Sequence, residues 1–200
     1  LMLSKACIVG TYQQKLEAMA RMAPDLVLTV VVPPFWKDER GIMHLERAHT
    51  GGYQLTVLPM ALNGSYHLHL YPRLARVIRE VQPHVVHIDE EPYNLATVHA
   101  NMFARRAGAR TLWFSWQNLV RKYPVPFSWI ERYNLDHVDH AIVGSQTAAR
   151  VWRAKGYTGA LSVIPQFGVD PNVFYPPPAP RSEASVHIAY VGRFVPEKGD

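Results

Sequence analysis

Short β-rich apolar runs alternate with segments of helical period along most of this chain, and that alternation limits the folds open to it. "LVLTVVVP" (26–33) and "HVVHI" (84–88) are continuous apolar runs of strand length, whereas "YPRLARVIREV" (71–81) places Leu74, Val77, Ile78 and Val81 on one helical stripe. Further strands are expected at "KACIVG" (5–10), "YQLTVLP" (53–59), "ARTLWFSW" (109–116), "HAIVG" (140–144) and "LSVIP" (161–165). Helices are expected over 13–23, 94–108, 126–138 and 145–156, the last with Ser145 as its N-cap and Gly156 at its end. Strands that are apolar throughout are buried on both faces. The pattern therefore predicts an α/β fold, a Rossmann-like and mostly parallel sheet with helices on both faces. Ligands of such a sheet bind beyond the carboxyl ends of its strands.

At 200 residues, 48% hydrophobic and 18% charged, the chain is an ordinary globular type, long enough to bury a core. Its one cysteine, Cys7, lies in an apolar run and reads as a small buried thiol. A disulfide framework is thereby excluded, which favours a reducing, cytoplasmic location. No run of about 18 apolar residues is present to span a bilayer. Lys and Arg number 21 against 16 Asp and Glu, a formal charge of +5, which points to phosphorylated ligands, nucleic acid or an anionic membrane surface. The cations are spread over several elements without a continuous aromatic-basic stripe, so no nucleic acid is expected. The pairs His67/His69, His84/His87 and His137/His140 lack a helical i, i+4 spacing with a third ligand nearby, and no metal is expected.

Residues 176–185, "PPPAPRSEAS", cannot join a helix interior or a central strand and read as an extended linker. "VHIAYVG" (186–192) then starts a strand afresh, expected to pair with a sheet edge or with another copy of itself. The organisation expected is one Rossmann-like domain over 1–175, the linker, and the opening of a second domain over 186–200. In the first domain, "HIDEEPYN" (87–94) sets Asp89, Glu90 and Glu91 just past a strand end, where they would suit hydroxyl groups. Glu90 is expected to face the crevice, and Glu91, with Pro92 opening a helix, to act as a cap. "NLVRKYPVPFSW" (118–129) mixes Arg121 and Lys122 with aromatics, a combination suited to sugar rings and phosphates. Arg73, Arg76, Arg121 and Lys122 are the candidates for contact with anionic lipid.

Five short motifs, in order, carry a resemblance. "HVVHIDEEPYN" within 82–94, "HAIVGSQTAARVWRAKGY" (140–157), Ile164-Pro165, Gly168-Val169-Asp170 with Phe174-Tyr175-Pro176, and Gly192-Arg193 with Lys198-Gly199 resemble the retaining glycosyltransferases of family 4. That family has the GT-B fold, two Rossmann-like domains facing across a cleft. The resemblance implies that this chain is the N-terminal, acceptor-side domain with only the first strand and phosphate-contacting loop of a donor domain. It also implies sugar transfer from a nucleotide-sugar co-substrate, with retention and no metal, to a glycan, lipid-linked or small-molecule acceptor, and a fragment inactive alone. Arg193 and Lys198 are the implied donor-binding and catalytic pair. An Arg fork and an ammonium on a departing diphosphate stabilise the charge that develops as the glycosidic bond breaks. Two positions depart from the family pattern. "GTYQQ" (10–14) replaces a glycine-rich loop, and Gln117, or else Trp116, stands where many members have a donor-contacting His. A glutamine there can position a sugar hydroxyl but cannot exchange a proton near neutrality. Glu90, Glu91, Arg121 and Lys122 are the acceptor-side candidates. The alternatives are a sugar-nucleotide epimerase or hydrolase of the same fold, and a non-catalytic module binding anionic glycan or nucleic acid.

Overall fold

The computed structural model describes residues 1–39, 41–176 and 188–191. The chain divides into a unit over Leu1–Gly168 and a second that begins at Val169. In the first unit the strands are β1 (Met2–Leu3), β2 (Thr29–Val32), β3 (Phe35–Asp38), β4 (Gly41–His44), β5 (Gln54–Val57), β6 (Val85–Ile88), β7 (Arg110–Ser115), β8 (His140–Val143) and β9 (Ala160–Val163). The α-helices are α1 (Gly10–Met22), α2 (Leu74–Val81), α3 (Leu95–Arg106), α4 (Phe127–His137) and α5 (Gln146–Ala154). Seven of these strands form one sheet in the order β5-β2-β1-β6-β7-β8-β9, and all its pairings are parallel. The expected α/β class is the observed one.

Side-chain alternation sorts the two layers. Leu3, Val31, Val86, Ile88, Trp113, Ala141 and Val143 point to one face and meet α2, α3, α4 and α5 through Ile78, Ala100, Leu135 and Trp152. Met2, Val30 and Val32 point to the other face and meet Leu16 of α1 together with Cys7. Helices thus cover both faces. Ala96, Ala100 and Ala104, each fully buried, form an i, i+4 stripe that lets α3 lie close on the sheet. The stripe predicted for α2 is the buried one, with Arg73, Arg76 and Arg79 exposed. Ser145 caps α5 by accepting from the Ala148 amide at 3.1 Å.

Two local readings are corrected. The strand expected over 5–10 is not there: β1 is Met2–Leu3, Ala6–Ile8 forms a 3-10 turn and Gly10 opens α1. Cys7 and Ile8 owe their burial to packing beneath α1, and burial without a period gave the false strand signal. The antiparallel hairpin β3–β4 was not anticipated; it falls in "FWKDERGIMH", two four-residue runs about a polar turn. In the second unit, the Val173 and Phe174 amides donate to the Asp170 carbonyl in a short turn. Ile188–Val191 carry no regular secondary structure; the rest of the expected strand 186–192, and with it Arg193 and Lys198, lies outside the described residues.

Gln13 fastens the segment after β4 to this frame. Fully buried, it donates to the carbonyls of Cys7 (2.9 Å) and Glu46 (2.7 Å) and accepts from the amides of Ala48 and His49. Nearby, the Glu46 carboxylate takes the Gly10 amide at 2.5 Å, so the first turn of α1 already has an anion on it. Gln13→Ala is expected to lower stability by about 2–4 kcal/mol, because buried backbone groups lose their partners. Urea unfolding followed by tryptophan fluorescence would measure the loss.

Candidate functional site

The strand order reverses at β1. Connections from it lead to β2 and β5 on one side, and the chain returns to β6 on the other, so the loops after β1 and β6 part and leave a crevice at their carboxyl ends. Into that crevice β1 delivers Ser4 and Lys5, and β6 delivers Asp89, Glu90 and Glu91. The two loops are clasped together. Ser4 Oγ donates to Asp89 Oδ2 at 2.7 Å, and Lys5 gives its amide and its ammonium to the two oxygens of Glu90, both at 3.1 Å. Lys15 of α1 approaches Asp89 at 3.5 Å, and His69 Nε2 lies 3.4 Å from Glu90. Glu91 looks the other way, to the end of β7: it accepts from Ser115 Oγ at 2.6 Å and from the Trp116 amide at 2.9 Å.

The turn that follows is held from three sides. Thr97 Oγ1 donates to the Glu91 carbonyl, Asn134 Nδ2 to the Pro92 carbonyl, and the Leu95 amide to the His67 carbonyl. Between these pieces lies a cleft of about 400 Å³, with Tyr66, His67, Tyr93, Phe114 and Trp116 as its aromatic walls. Gln166, past β9, crosses to this cleft, donating to Asp89 Oδ1 at 2.7 Å and accepting from the Trp116 indole at 2.5 Å. The next residue, Phe167, stacks on Tyr12 of α1 at 4.3 Å. Gly144 supplies the floor under Trp116: a Cβ there would meet the indole ring at 2.4 Å.

The three neighbouring carboxylates differ sharply in electrostatics. Burial pushes Glu90 upward, but the Lys5 ammonium and His69 outweigh it and bring the carboxyl down to about 2. For Glu91 burial dominates and raises it to about 7 in spite of the bonds from Ser115 and Trp116; neighbouring Glu90 adds to the rise, and the more weakly acting Lys5 opposes it. His87 on β6 is held down to about 4 by burial. The site thus contains one carboxylate fixed as an anion and, on the next residue, one that takes up a proton near neutrality.

Asp89, Glu90 and Glu91 all line the cleft. Glu91 is not the helix cap expected from Pro92: α3 starts at Leu95 after Asn94, and the Glu91 carboxylate is spent on β7 instead. Gln117 follows Trp116 but does not line the cleft; its Nε2 donates to the Leu119 carbonyl and its Oε1 is buried without a partner. Arg121 and Lys122 are exposed and do not line the cleft. Lys5, His67, Asn94, Ser115 and Gln166 escaped sequence reasoning. Lys5 had a usable signal, because it lies two residues past a central strand; Gln166 directly follows the Ile164-Pro165 motif without being part of it.

The family model described as "Glycosyl transferase 4-like domain" matches residues 10–166, which take in α1–α5 and β2–β9 and run to Gln166. The chain belongs to this family. No curated protein and no solved structure gives a significant match. A glycosyl transferase 4-like domain of GT-B type accounts for the seven-stranded Rossmann-like sheet and for a ligand crevice at its strand reversal. Among the described residues no helix is long and apolar enough to cross a membrane.

Two measurements follow from the carboxylates. The folded state holds Glu90 below its ordinary 4.5, so the stability it contributes is complete above that value and is lost as pH falls toward 2. Glu91 has the opposite sign: its contribution is complete below 4.5 and is lost as pH rises through about 7. Glu90→Gln should flatten the acid limb of a stability–pH profile, and Glu91→Gln the fall toward neutral pH. Gly144→Ala should displace the Trp116 indole and break its bond to Gln166, seen as a shift in tryptophan emission without loss of the far-ultraviolet dichroism.

Proposed function

We propose that this domain is the acceptor-side half of an enzyme that transfers a sugar from a nucleotide-sugar to a hydroxyl of a glycan, lipid-linked or small acceptor, with retention of configuration. The observation that carries the reading is the cleft itself, in which carboxylates and aromatic rings converge at the reversal of a parallel sheet in a glycosyl transferase 4-like chain. Aromatic rings offer apolar faces to sugar rings, and carboxylate oxygens accept from hydroxyls. In the reaction, the bond from the anomeric carbon to the diphosphate oxygen breaks, a bond to the acceptor oxygen forms, and the acceptor hydroxyl gives its proton to the departing diphosphate oxygen. Arg193 and Lys198 are assigned to the negative charge left on the diphosphate, Gln117 to a donor hydroxyl, and Glu91 to orienting the acceptor. Arg121 and Lys122 are assigned to the entry of the acceptor.

The intact gene product is expected to release nucleoside diphosphate from a nucleotide-sugar only when an acceptor is supplied. Gln117→Ala should lower kcat/KM by about 1–3 kcal/mol of transition-state stabilisation while the domain stays folded. Donor breakdown that ignores the acceptor, or epimerised donor as the product, would replace this reading with a hydrolase or an epimerase.

A second observation concerns where the enzyme works. Leu119, Val120, Val125 and Trp129 are each more than half exposed on one segment that also carries Arg121 and Lys122. We propose that this segment rests on anionic lipid, the apolar side chains entering the headgroup region and the cations meeting phosphate. Arg76 contributes less, since it is paired with Glu80 at 2.7 Å. Trp129→Ala combined with Arg121→Ala should abolish sedimentation with anionic vesicles at low salt; retention on the vesicles would remove the segment from this role.

A further inference from the structure

Asn94 occupies the N-cap of α3, a position where asparagine ordinarily turns its side-chain oxygen onto the first free amides of the helix. Here it makes no such bond. The residue is 4% exposed, lines the cleft, and its Oδ1 has no hydrogen-bond partner. His67 Nδ1, also in the cleft wall, is likewise buried and unpartnered. Leaving buried polar atoms unpaired is costly, and of the unpaired buried atoms among the described residues these two belong to residues that line the cleft, where a ligand group can complete them.

The charges around these atoms are already balanced. Lys5 is the only Lys or Arg among the described lining residues, and its ammonium is spent on Glu90. Lys15, just behind, is directed at Asp89. Glu91 is reached by Lys5 only at a distance, and its hydrogen-bond partners are a hydroxyl and an amide. A phosphate or carboxylate brought here would therefore face three carboxyl groups with no uncommitted cation lining the cleft to meet it. Hydroxyl groups meet no such obstacle: they donate to Asn94 Oδ1 and to the spare lone pairs of Glu91, while Tyr66 and Trp116, each nearly half exposed, present flat apolar surface beside them.

We infer that the cleft takes an uncharged, hydroxyl-rich ring, of the kind presented by a neutral hexopyranoside, and that Asn94 is the residue that reads one of its hydroxyls. This rests on the acceptor-site reading above and narrows it: the phosphates of the reaction belong to other parts of the enzyme, and the chain's positive charge does not describe its acceptor.

The test is a binding titration of the 200-residue chain, followed by tryptophan emission and by ligand-observed magnetic resonance. The probes are the methyl α-glycosides of glucose, galactose and mannose, with glucuronate, glucose 6-phosphate and glucosamine as charged counterparts. At least one neutral glycoside is expected to saturate with a Kd on the order of millimolar, as befits a small ligand held by a few hydrogen bonds, and each charged counterpart to bind at least about tenfold more weakly. Asn94→Ala should weaken the neutral ligand about tenfold, while Asn94→Asp, which keeps the side-chain oxygen, should hold it; circular dichroism checks that both variants are folded. Tighter binding of glucuronate or glucose 6-phosphate would overturn the inference and leave an acceptor site for anions. Tighter binding of glucosamine would overturn it in favour of a cationic ring. If no probe binds, or if Asn94→Ala changes nothing, Asn94 has no such role, whatever the intact protein transfers. If the neutral ring binds as expected but the intact protein transfers no sugar, the enzymatic reading fails and the binding inference stands.

Discussion

Everything at the functional end of this domain depends on the clasp between the loop after β1 and the loop after β6, segments 85 residues apart in the chain. Two strands of a parallel sheet are held by their ladder, but the loops beyond their ends have no ladder and would diverge. Ser4 on Asp89 and Lys5 on Glu90 replace it with hydrogen bonds and one ion pair, most of it out of solvent. A buried ion pair of this kind adds little net stability, since desolvation offsets most of the attraction. Its effect is geometric: with Glu90 committed to Lys5, the backbone at 90–91 is fixed, and Glu91 is turned toward β7 instead of solvent. The aromatic walls, the Trp116 platform and the turn into α3 are placed relative to that fixed point.

The same clasp separates the chemistry of adjacent residues. Glu90 and Glu91 share a peptide bond, yet one is paired with an ammonium and stays charged, while the other is hydrogen-bonded only by a hydroxyl and an amide and is pushed toward neutrality by burial. The difference comes from the direction in which each side chain leaves the backbone. Past the end of β6, Glu90 is directed to the β1 side with its lysine and Glu91 to the β7 side with its serine.

Much of the architecture was legible because it follows from local rules. Continuous apolar strands and a clean helical stripe at 74–81 identified the sheet, its burial and most of its elements. The carboxylates at 89–91 were legible for the same reason: residues just past a parallel strand end are delivered to the crevice whatever they are. What could not be read were the partners. Ser115 lies 24 residues from Glu91, and Gln166 lies 77 from Asp89, and nothing in either local sequence marks the contact. The apolar run at 5–10 misled because burial by a turn beneath a helix and burial within a sheet leave the same composition. Asn94 misled in a subtler way, since asparagine before a helix signals a cap and here the side chain is withheld from that duty.

Gln166 and Phe167 lie on the far side of β7 and β8 from their own strand, laid across the open end of the sheet to Asp89 and α1. That crossing makes them a mechanical link. A segment anchored by one hydrogen bond to the cleft floor and another to a wall cannot be drawn away without loosening both, and a ligand that tightens Trp116 or Asp89 also tightens the hold on the strap. The free energy of filling the cleft and the free energy of seating the strap are therefore shared, and sharing of that kind works equally in both directions. The Ile-Pro-Gln-Phe-Gly stretch, which looks from its composition like a connector, shares its contacts at Asp89 and Trp116 with whatever occupies the crevice.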